Sequence, residues 1–148
     1  MKPNWWITRD GDPECLALFR RHYSHRPYRD GRSVKLFVGP GEKLVLRTPL
    51  ADAMFVWRKF KDDSGQNGVC CAVFRNESGI RSSDLIREAC DIAWAVWPDS
   101  RLYTFVDPRK VRSVNPGFCF QSAGWRRCPG RTSKGLIVME REVPDGDR

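Results

Sequence analysis

Long apolar runs are absent from this sequence. No stretch approaches the roughly 18 consecutive apolar residues that a membrane-spanning helix needs. The first residues, Met-Lys-Pro-Asn-Trp-Trp, also lack the apolar segment of a signal peptide. Internal repeats and low-complexity segments are absent as well. We therefore expect a cytoplasmic protein that does not act at a membrane.

The cysteines lack the spacing of a metal or redox motif. None of them forms a Cys-x-x-Cys pair, and several lie inside apolar segments. We expect reduced, mostly buried thiols rather than a disulfide framework. The cysteines are Cys15, Cys70, Cys71, Cys90, Cys119 and Cys128.

The composition excludes wholesale disorder. Hydrophobic residues make up 41% of the chain, which includes six Trp and eight Phe. This apolar surface is large enough to offset the entropy lost when the chain becomes ordered. At 148 residues the chain fits one domain of ordinary size. We expect a single domain with its core at about 12–142 and a frayed tail at 144–148.

Negative charge is scarce relative to positive charge. The 26 Lys and Arg against 18 Asp and Glu give a formal net charge of +8. A protein of this charge attracts polyanions through phosphate neutralisation and counterion release. DNA is therefore the partner that we expect. The alternative is a basic protein whose charge only keeps it soluble.

The first half of the chain predicts a helix followed by antiparallel strands. Asp12-Pro13 is typical of an N-cap with a first-turn proline, so a helix is expected over about 13–22. The arginine-rich segment 26–32 favours an exposed basic loop. Strands are expected at 33–38, 43–47, 53–60 and 69–74, with Gly39-Pro40-Gly41-Glu42 as a hairpin turn and the last strand at the centre of the sheet.

The strongest helical pattern of the chain follows these strands. Apolar residues between Leu85 and Trp97 recur at helical spacing. Ser82 or Ser83 can cap the start of this helix, and Pro98 marks its end. A strand at 101–106, a short helix at about 115–124 and a strand at 134–142 are expected after it.

The strand-helix-strand order predicts a right-handed crossover into a parallel neighbour. We therefore expect an α/β fold with a mixed central sheet. An antiparallel meander is followed in this sheet by a parallel crossover, and helices cover both faces.

This element order resembles the fold of the GCN5-related N-acetyltransferases. The segment Asn115-Pro-Gly-Phe-Cys-Phe-Gln-Ser-Ala-Gly-Trp125 is similar to the helix after the family's fifth strand, which starts at an Asn and ends at a Gly-aromatic pair. The resemblance implies that the fourth and fifth strands splay and that ligands bind where they open. Asp107 would lie at that mouth.

The segment 75–83 departs from the family's acyl-CoA pyrophosphate loop. That loop reads Gln or Arg, two residues, Gly, one residue, Gly or Ala, so that backbone amides at a helix start cradle phosphate. Segment 75–83 keeps one Gly, hydroxyls and two Arg, which argues against an ordinary acyl-CoA donor. The family's thiolate-protonating Tyr is also absent, because Phe118 and Phe120 stand there. The residues expected to hold the phosphate of a donor, unless the serines only cap the helix, are Arg75, Arg81, Ser82, Ser83 and Asn115.

Phage Mom DNA-modification proteins, divergent members of this family, depart in similar ways. His22-Tyr23 at the end of the first helix and Asp107 after the parallel strand resemble their pattern. The resemblance implies transfer of an acetamido-type group to the exocyclic amine of adenine in DNA. It also implies an anti-restriction role in the cytoplasm of a host cell.

We expect His22, Tyr23 and Asp107 at the chemistry. An imidazole titrates near neutral pH and suits a general base, Tyr23 adds a donor, and Asp107 can accept a proton or hold a substrate. His22 and His25, the only histidines, have a spacing that with Asp107 suits iron or zinc, although two ligands make only half a site. The structural alternatives are a cationic His at a helix end, a packed Tyr and a turn at Asp107-Pro108.

Basic loop residues interleaved with aromatic residues suit phosphate contacts and base stacking. The set comprises Arg26, Tyr28, Arg29, Arg32, Arg109, Lys110, Arg112, Trp125, Arg126, Arg127 and Arg131. Solvated loops would explain the same charges. Cys119 is a candidate nucleophile near a helix start, with burial as its alternative. The pair Trp5-Trp6 is expected to pack in the core, with a base-stacking surface as the alternative.

Two other functions agree with the same residues. One is acetyl-CoA-dependent N-acetylation of a protein or small amine, which calorimetry with acetyl-CoA would detect. The other is nucleic-acid binding without catalysis, which leaves nucleosides unmodified.

Overall fold

One mixed sheet organises the fold. A computed structural model describes residues 3–21, 36–60, 65–110 and 117–143. Within these ranges the helices are α1 (Pro13–Arg20), α2 (Ser82–Val96) and α3 (Phe118–Ser122). The strands there are β1 (Trp6–Thr8), β2 (Glu42–Arg47), β3 (Ala53–Lys59), β4 (Val69–Asn76), β5 (Leu102–Val106), β6 (Arg126–Arg127) and β7 (Ile137–Arg141).

The pairing of the strands confirms the predicted α/β class with a mixed sheet. The sheet has the order β1-β2-β3-β4-β5-β7-β6. Neighbouring strands are antiparallel except β4 and β5, which are parallel and are connected through α2. The apolar strand β4 occupies the centre of the sheet, as its sequence predicts.

Two hydrophobic clusters lie on opposite faces of the sheet. On one face, α2 contributes Leu85, Ile86 and Ala89 to a cluster that also contains Trp57 and Phe120. On the other face, α1 packs through Cys15, Leu18 and Phe19 against side chains of β2, β3 and β4. Apolar burial of this kind supplies the main driving force of folding, about 25 cal/mol for each Å² removed from water. Helices therefore cover both faces, as predicted.

Local sequence signals account for the start of α1. The Asp12 carboxylate accepts hydrogen bonds from the amides of Glu14 at 2.9 Å and Cys15 at 3.2 Å, and Pro13 occupies the first turn. This is the predicted N-cap, and the helix ends at Arg20, with Arg21 as its C-cap.

The predicted strand at 33–38 is wrong in its described part, because Leu36 to Val38 form no strand. The amides of Phe37 and Val38 instead donate to Oδ1 of Asp10, at 2.7 and 3.2 Å. The edge beside β2 is occupied by β1, in which Trp6 pairs with Arg47. No hairpin therefore precedes β2 within the described residues, since the amino-terminal strand takes that position.

Two helix starts differ from the expectation. Arg81 is the N-cap of α2, and Ser82 is already its first residue, so neither serine caps the helix through its side chain. Gly117, at φ 86°, is the N-cap of α3, a backbone conformation that glycine adopts without strain. The predicted start at Asn115 lies outside the described residues. The end of α3 at Ser122, with Ala123 as C-cap, agrees with the prediction.

Candidate functional site

The parallel strands β4 and β5 separate halfway along their length. In the described chain the last pair of their ladder is Cys71 with Thr104, although β4 continues to Asn76 and β5 to Val106. The Thr104 hydroxyl donates to the Cys71 carbonyl at 2.9 Å, at the point where the strands part. The resulting cleft, which we call the strand cleft, has a volume of about 160 Å³. Its lining consists of Cys71 to Phe74, Thr104 to Val106, Gly117, Cys119 and Phe120.

A β-bulge in β4 shapes one wall of the strand cleft. Val56 pairs with Val73 and Trp57 with Cys71, so Ala72 has no partner on β3. As a result Cys71 packs in the α2 cluster while Val73 packs in the α1 cluster. A bulge turns peptide groups and side chains out of the regular alternation. The peptide groups around Ala72 therefore border the cleft beyond the last rung of the β4–β5 ladder.

Asp107 directly follows β5 and is held by Arg109. Its Oδ1 accepts from the Arg109 amide at 3.0 Å and from Arg109 Nε at 3.1 Å, and its Oδ2 accepts from Nη2 at 3.4 Å. The same Nη2 donates to the carbonyl of Lys134 at 3.1 Å. These contacts support the turn interpretation of Asp107.

The ion pair changes what the Asp107 carboxylate can do. The hydrogen bond from Arg109 lowers the pKa of Asp107 below its ordinary value, which makes the carboxylate a weaker base. A carboxylate bound on both oxygens by a guanidinium group also fits an iron or zinc ligand poorly. Among the described residues no three His, Cys, Asp or Glu side chains group into a candidate metal site. His22 lies outside the described residues, so the metal interpretation finds no support in the part that the structure describes.

The end of α1 is tied to the segment after β4. Arg21 binds Glu77 through two hydrogen bonds of 2.8 Å, and Arg75 adds a third of 3.0 Å. The hydrogen bond from Arg21 is the main cause that lowers the pKa of Glu77 to about 2. Arg21 immediately precedes His22 in the chain, whereas His22, Tyr23 and His25 lie outside the described residues. The approach of His22 to Asp107 stays a prediction.

The segment 75–83 is closed by its own hydrogen bonds. The Asn76 side chain accepts from the Ser78 amide at 2.9 Å and donates to the Ile80 carbonyl at 2.8 Å and to Ser82 Oγ at 2.9 Å. The Ile80 amide donates to Ser78 Oγ at 3.1 Å. Two of the amides that would cradle phosphate in an acetyltransferase loop are therefore already used.

The other expected donor-binding residues are dispersed. Arg75 pairs with Glu77 at 3.0 Å, Ser83 is buried and Arg81 is exposed. Asn115 lies outside the described residues. The described members of this set therefore do not converge on one open phosphate site.

The basic residues of the predicted DNA-binding set that the structure describes lie at two places. Arg109 and Lys110 are exposed after β5, and Arg131 is exposed between β6 and β7. Arg126 and Arg127 form the edge strand β6. The remaining members of the set lie outside the described residues: Arg26, Tyr28, Arg29, Arg32 and Arg112.

Arg126 is committed to a buried carboxylate. It binds Glu140 at 2.5 Å through Nε, and Arg101 binds the other oxygen of Glu140 at 2.6 Å. Burial alone would raise the pKa of Glu140, but these two hydrogen bonds outweigh burial and lower it. One of the two arginines of β6, Arg126, therefore stabilises the fold by pairing with Glu140.

The expectation that Trp125 offers a stacking surface to a base is wrong. Its side chain is 3% exposed and stacks on Trp57, with ring centroids 6.2 Å apart and planes 13° from parallel. The residue after Gly124 turns inward because it closes the α2 cluster. Of the N-terminal pair, Trp5 is 4% exposed and packs in this core, whereas Trp6 is 53% exposed.

The structure pairs none of the six cysteines with another. Burial raises the pKa of Cys119, which argues against a thiolate nucleophile in the strand cleft. Burial also raises the pKa of Cys15 to about 12 and of Cys90 to about 11.

A larger cavity was not anticipated from the sequence. It has a volume of about 680 Å³ and lies beneath the connection between β6 and β7, and we call it the β6–β7 cavity. Pro129-Gly130 followed by Arg131-Thr-Ser-Lys134 was the available signal, since such a turn combines cations and hydroxyl groups. Lys134 was instead expected to begin a strand, and β7 begins at Ile137.

None of the described helices is long and apolar enough to cross a bilayer. Comparison with family models, with curated proteins and with solved structures finds no match to this chain.

Proposed function

We propose that this protein is a Mom-type DNA-modification enzyme of acetyltransferase-like fold. It transfers an acyl-type group, of the acetamido type, to the exocyclic amine of a nucleobase in DNA. We expect this base to be adenine. The observation that carries the proposal is the strand cleft, because β4 and β5 part after Cys71 and Thr104 at the centre of the sheet. Ligands of open α/β sheets bind where neighbouring strands leave such a crevice.

The strand cleft suits a small transferable group. Its lining is mostly apolar, and its volume of about 160 Å³ is small. The bulge at Ala72 provides peptide groups at its wall that can bind a carbonyl oxygen of that group. Charge complementarity to DNA comes from the net charge of +8.

Transfer requires one proton to move. The amine nitrogen of the base forms a bond to the transferred carbon, the donor's bond to that carbon breaks with its electron pair, and the nitrogen loses a proton. In the proposal His22 accepts this proton and Tyr23 donates a hydrogen bond to the reacting carbonyl. Asp107 orients Arg109 instead of acting as the base, because its carboxylate is bound at 3.1 Å by that guanidinium group.

The donor is expected to differ from ordinary acyl-CoA. The loop before α2 uses the amides of Ser78 and Ile80 within itself. A pyrophosphate would have to displace these hydrogen bonds, and we expect weak or no binding of acetyl-CoA in calorimetry. Strong binding would favour the N-acetyltransferase alternative.

Mass spectrometry of nucleosides tests the proposed function. DNA from cells expressing the chain should contain a deoxyadenosine of increased mass, and DNA from cells expressing His22→Gln should not. His25→Gln is the matched control, because it removes the other imidazole, and we expect it to retain modification. Unmodified nucleosides together with strong DNA binding would support nucleic-acid binding without catalysis.

A further inference from the structure

The β6–β7 cavity lies on the α1 face of the sheet. Val106 and Ile137 pack in the α2 cluster, so their neighbours Phe105 and Val138 point to the opposite face, where they pair across β5 and β7. On that face α1 packs over β2, β3 and β4. Phe105, Leu136 and Val138 supply an apolar wall to the cavity. Phe105 also lines the strand cleft, so the two cavities share this residue.

The remaining lining is polar and cationic. Arg131 and Lys134 contribute two positive charges, and Gln66, Thr132 and Ser133 contribute amide and hydroxyl groups. No Asp or Glu occurs among the described residues that line the cavity. A volume of about 680 Å³ falls within the range of small-molecule sites. The lining therefore complements a ligand with a flat apolar part and an anionic part.

The loop that carries these groups is held in place. The Thr132 amide donates a hydrogen bond to the Leu136 carbonyl at 2.9 Å, and the Leu136 amide donates to the Thr132 hydroxyl at 3.0 Å. The Cys128 amide donates to the Val138 carbonyl at 2.8 Å. Arg109, anchored by Asp107, donates to the Lys134 carbonyl at 3.1 Å. The cations on the rim are therefore presented by a loop with fixed backbone geometry.

We infer that the β6–β7 cavity binds one deoxynucleotide unit, with its base against Phe105 and Val138 and its phosphate at Arg131 and Lys134. The apolar wall takes the face of a base, and the two cations with the hydroxyl groups take a phosphate. The preference for a deoxynucleotide rests on the proposed function, whereas the two-part chemistry of the ligand rests on the lining. A nucleotide in this cavity would lie close to the strand cleft, because Phe105 lines both.

NMR titration of the full chain with dAMP tests this inference in the absence of any donor. Deoxyadenosine and inorganic phosphate, titrated separately, report the two halves of the ligand. We expect dAMP to bind more tightly than either half and to shift the amides of 128–138 and of Phe105. Equal affinity for phosphate and dAMP, or shifts confined to other segments, would overturn the inference.

Matched variants locate the phosphate. Lys134→Ala and Arg131→Ala should each weaken dAMP binding by about tenfold and leave binding of deoxyadenosine unchanged. Lys59→Ala removes the same charge at the exposed end of β3, outside the cavity, and should change neither affinity. Equal losses in Lys59→Ala and Lys134→Ala would reduce the effect to net charge and would contradict the site.

A separate variant tests the base. Phe105→Leu keeps apolar volume but removes the ring, so it should weaken dAMP and deoxyadenosine alike and leave phosphate binding unchanged. Circular dichroism establishes that the variant is folded before the titration. Binding of dAMP is measured without transfer chemistry, so an absence of modified nucleosides would contradict the proposed function while leaving this site intact.

Discussion

Arg109 binds both carboxylate oxygens of Asp107, at 3.1 and 3.4 Å. Through its Nη2 group it also bonds the backbone of Lys134 at 3.1 Å, in a loop more than twenty positions further along the chain. The pair therefore connects the end of β5 with the rim of the β6–β7 cavity. Asp107 thus holds the guanidinium group of Arg109 in place, and Arg109 in turn binds the Lys134 carbonyl.

Asp107→Asn and Arg109→Ala test this positioning role. Asn keeps an acceptor for the Arg109 amide but loses the ion pair, so we expect a folded protein in which modification falls by about a hundredfold, the cost of a small misplacement. Arg109→Ala should have a similar effect, and the double variant should be no worse than either single one. The measurement is modification of DNA in vitro as a function of pH.

The pH profile separates positioning from base catalysis. Arg109 lowers the pKa of Asp107, so its removal lets that pKa rise toward the ordinary value. If Asp107 were the base, Arg109→Ala would keep its activity at neutral pH. As the pH is lowered, this variant would then lose activity at a higher pH than the wild type does. Such a profile would restore Asp107 as a catalytic residue, whereas a uniform loss at all pH values supports positioning.

Arg126→Ala and Arg127→Ala are matched variants for testing the proposed DNA binding. Removing Arg127, which is exposed, should reduce the slope of log affinity against log salt by about 0.7–0.9 for each lost phosphate contact. Removing Arg126 should instead lower stability, because Glu140 is 6% exposed and would lose one of its two arginine partners. Urea unfolding and salt-dependent DNA binding measure the two effects. A stability loss in Arg127→Ala and none in Arg126→Ala would contradict the assignment.

Glu77 predicts a stability change with pH. The pKa of Glu77 is about 2 in the folded protein, against an ordinary 4.5, because Arg21 and Arg75 hydrogen-bond its charged form. A lowered pKa stabilises the fold fully above about pH 4.5, and the contribution is lost as the pH falls toward 2. The free energy of unfolding of Glu77→Gln should therefore lie below that of the wild type at pH 7, and the difference should shrink below about pH 4.5 and nearly vanish near pH 2. Glu142→Gln, after β7, controls for the substitution itself, and a gap that is constant with pH would exclude the ion triad as its cause.

Trp125 should act on stability and leave DNA binding unchanged. Trp125→Phe keeps an aromatic ring but loses contacts with Trp57, which is fully buried, so we expect a loss of about 1–3 kcal/mol in the free energy of unfolding. DNA affinity of the folded variant should stay unchanged. Unchanged stability with weaker DNA binding would show that the indole contacts a base.

Thiol reactivity should follow burial. Denatured protein without reductant should titrate as six free thiols, because the structure leaves all six cysteines unpaired. In the native protein at pH 8, Cys15, Cys71 and Cys90 should react last, because all three are buried, which limits access of the reagent as well as raising the pKa of each thiol. Cys128, which lies partly exposed in the wall of the β6–β7 cavity, should react sooner. Two or fewer thiols in the denatured protein would restore a disulfide or metal interpretation.

The sequence by itself determined the elements whose signals are local. The Asp12-Pro13 cap, the helical spacing from Leu85 to Trp97 and the apolar run of β4 each act within one helix or along one strand, and the structure agrees with all three. Their order also determined the parallel pair, because a helix between two strands carries the chain back across the sheet.

Only the tertiary structure decided which groups meet. The edge beside β2 went to three amino-terminal residues, the bulge at Ala72 shaped one wall of the strand cleft, and Arg109 tied Asp107 to Lys134. These contacts join positions far apart in the chain or depend on one unpaired residue, and they leave no periodic pattern in the sequence. Trp125 shows the same limit, since an aromatic residue among arginines matches a base-stacking surface in sequence, yet the structure buries its indole against Trp57, where its apolar surface is removed from water.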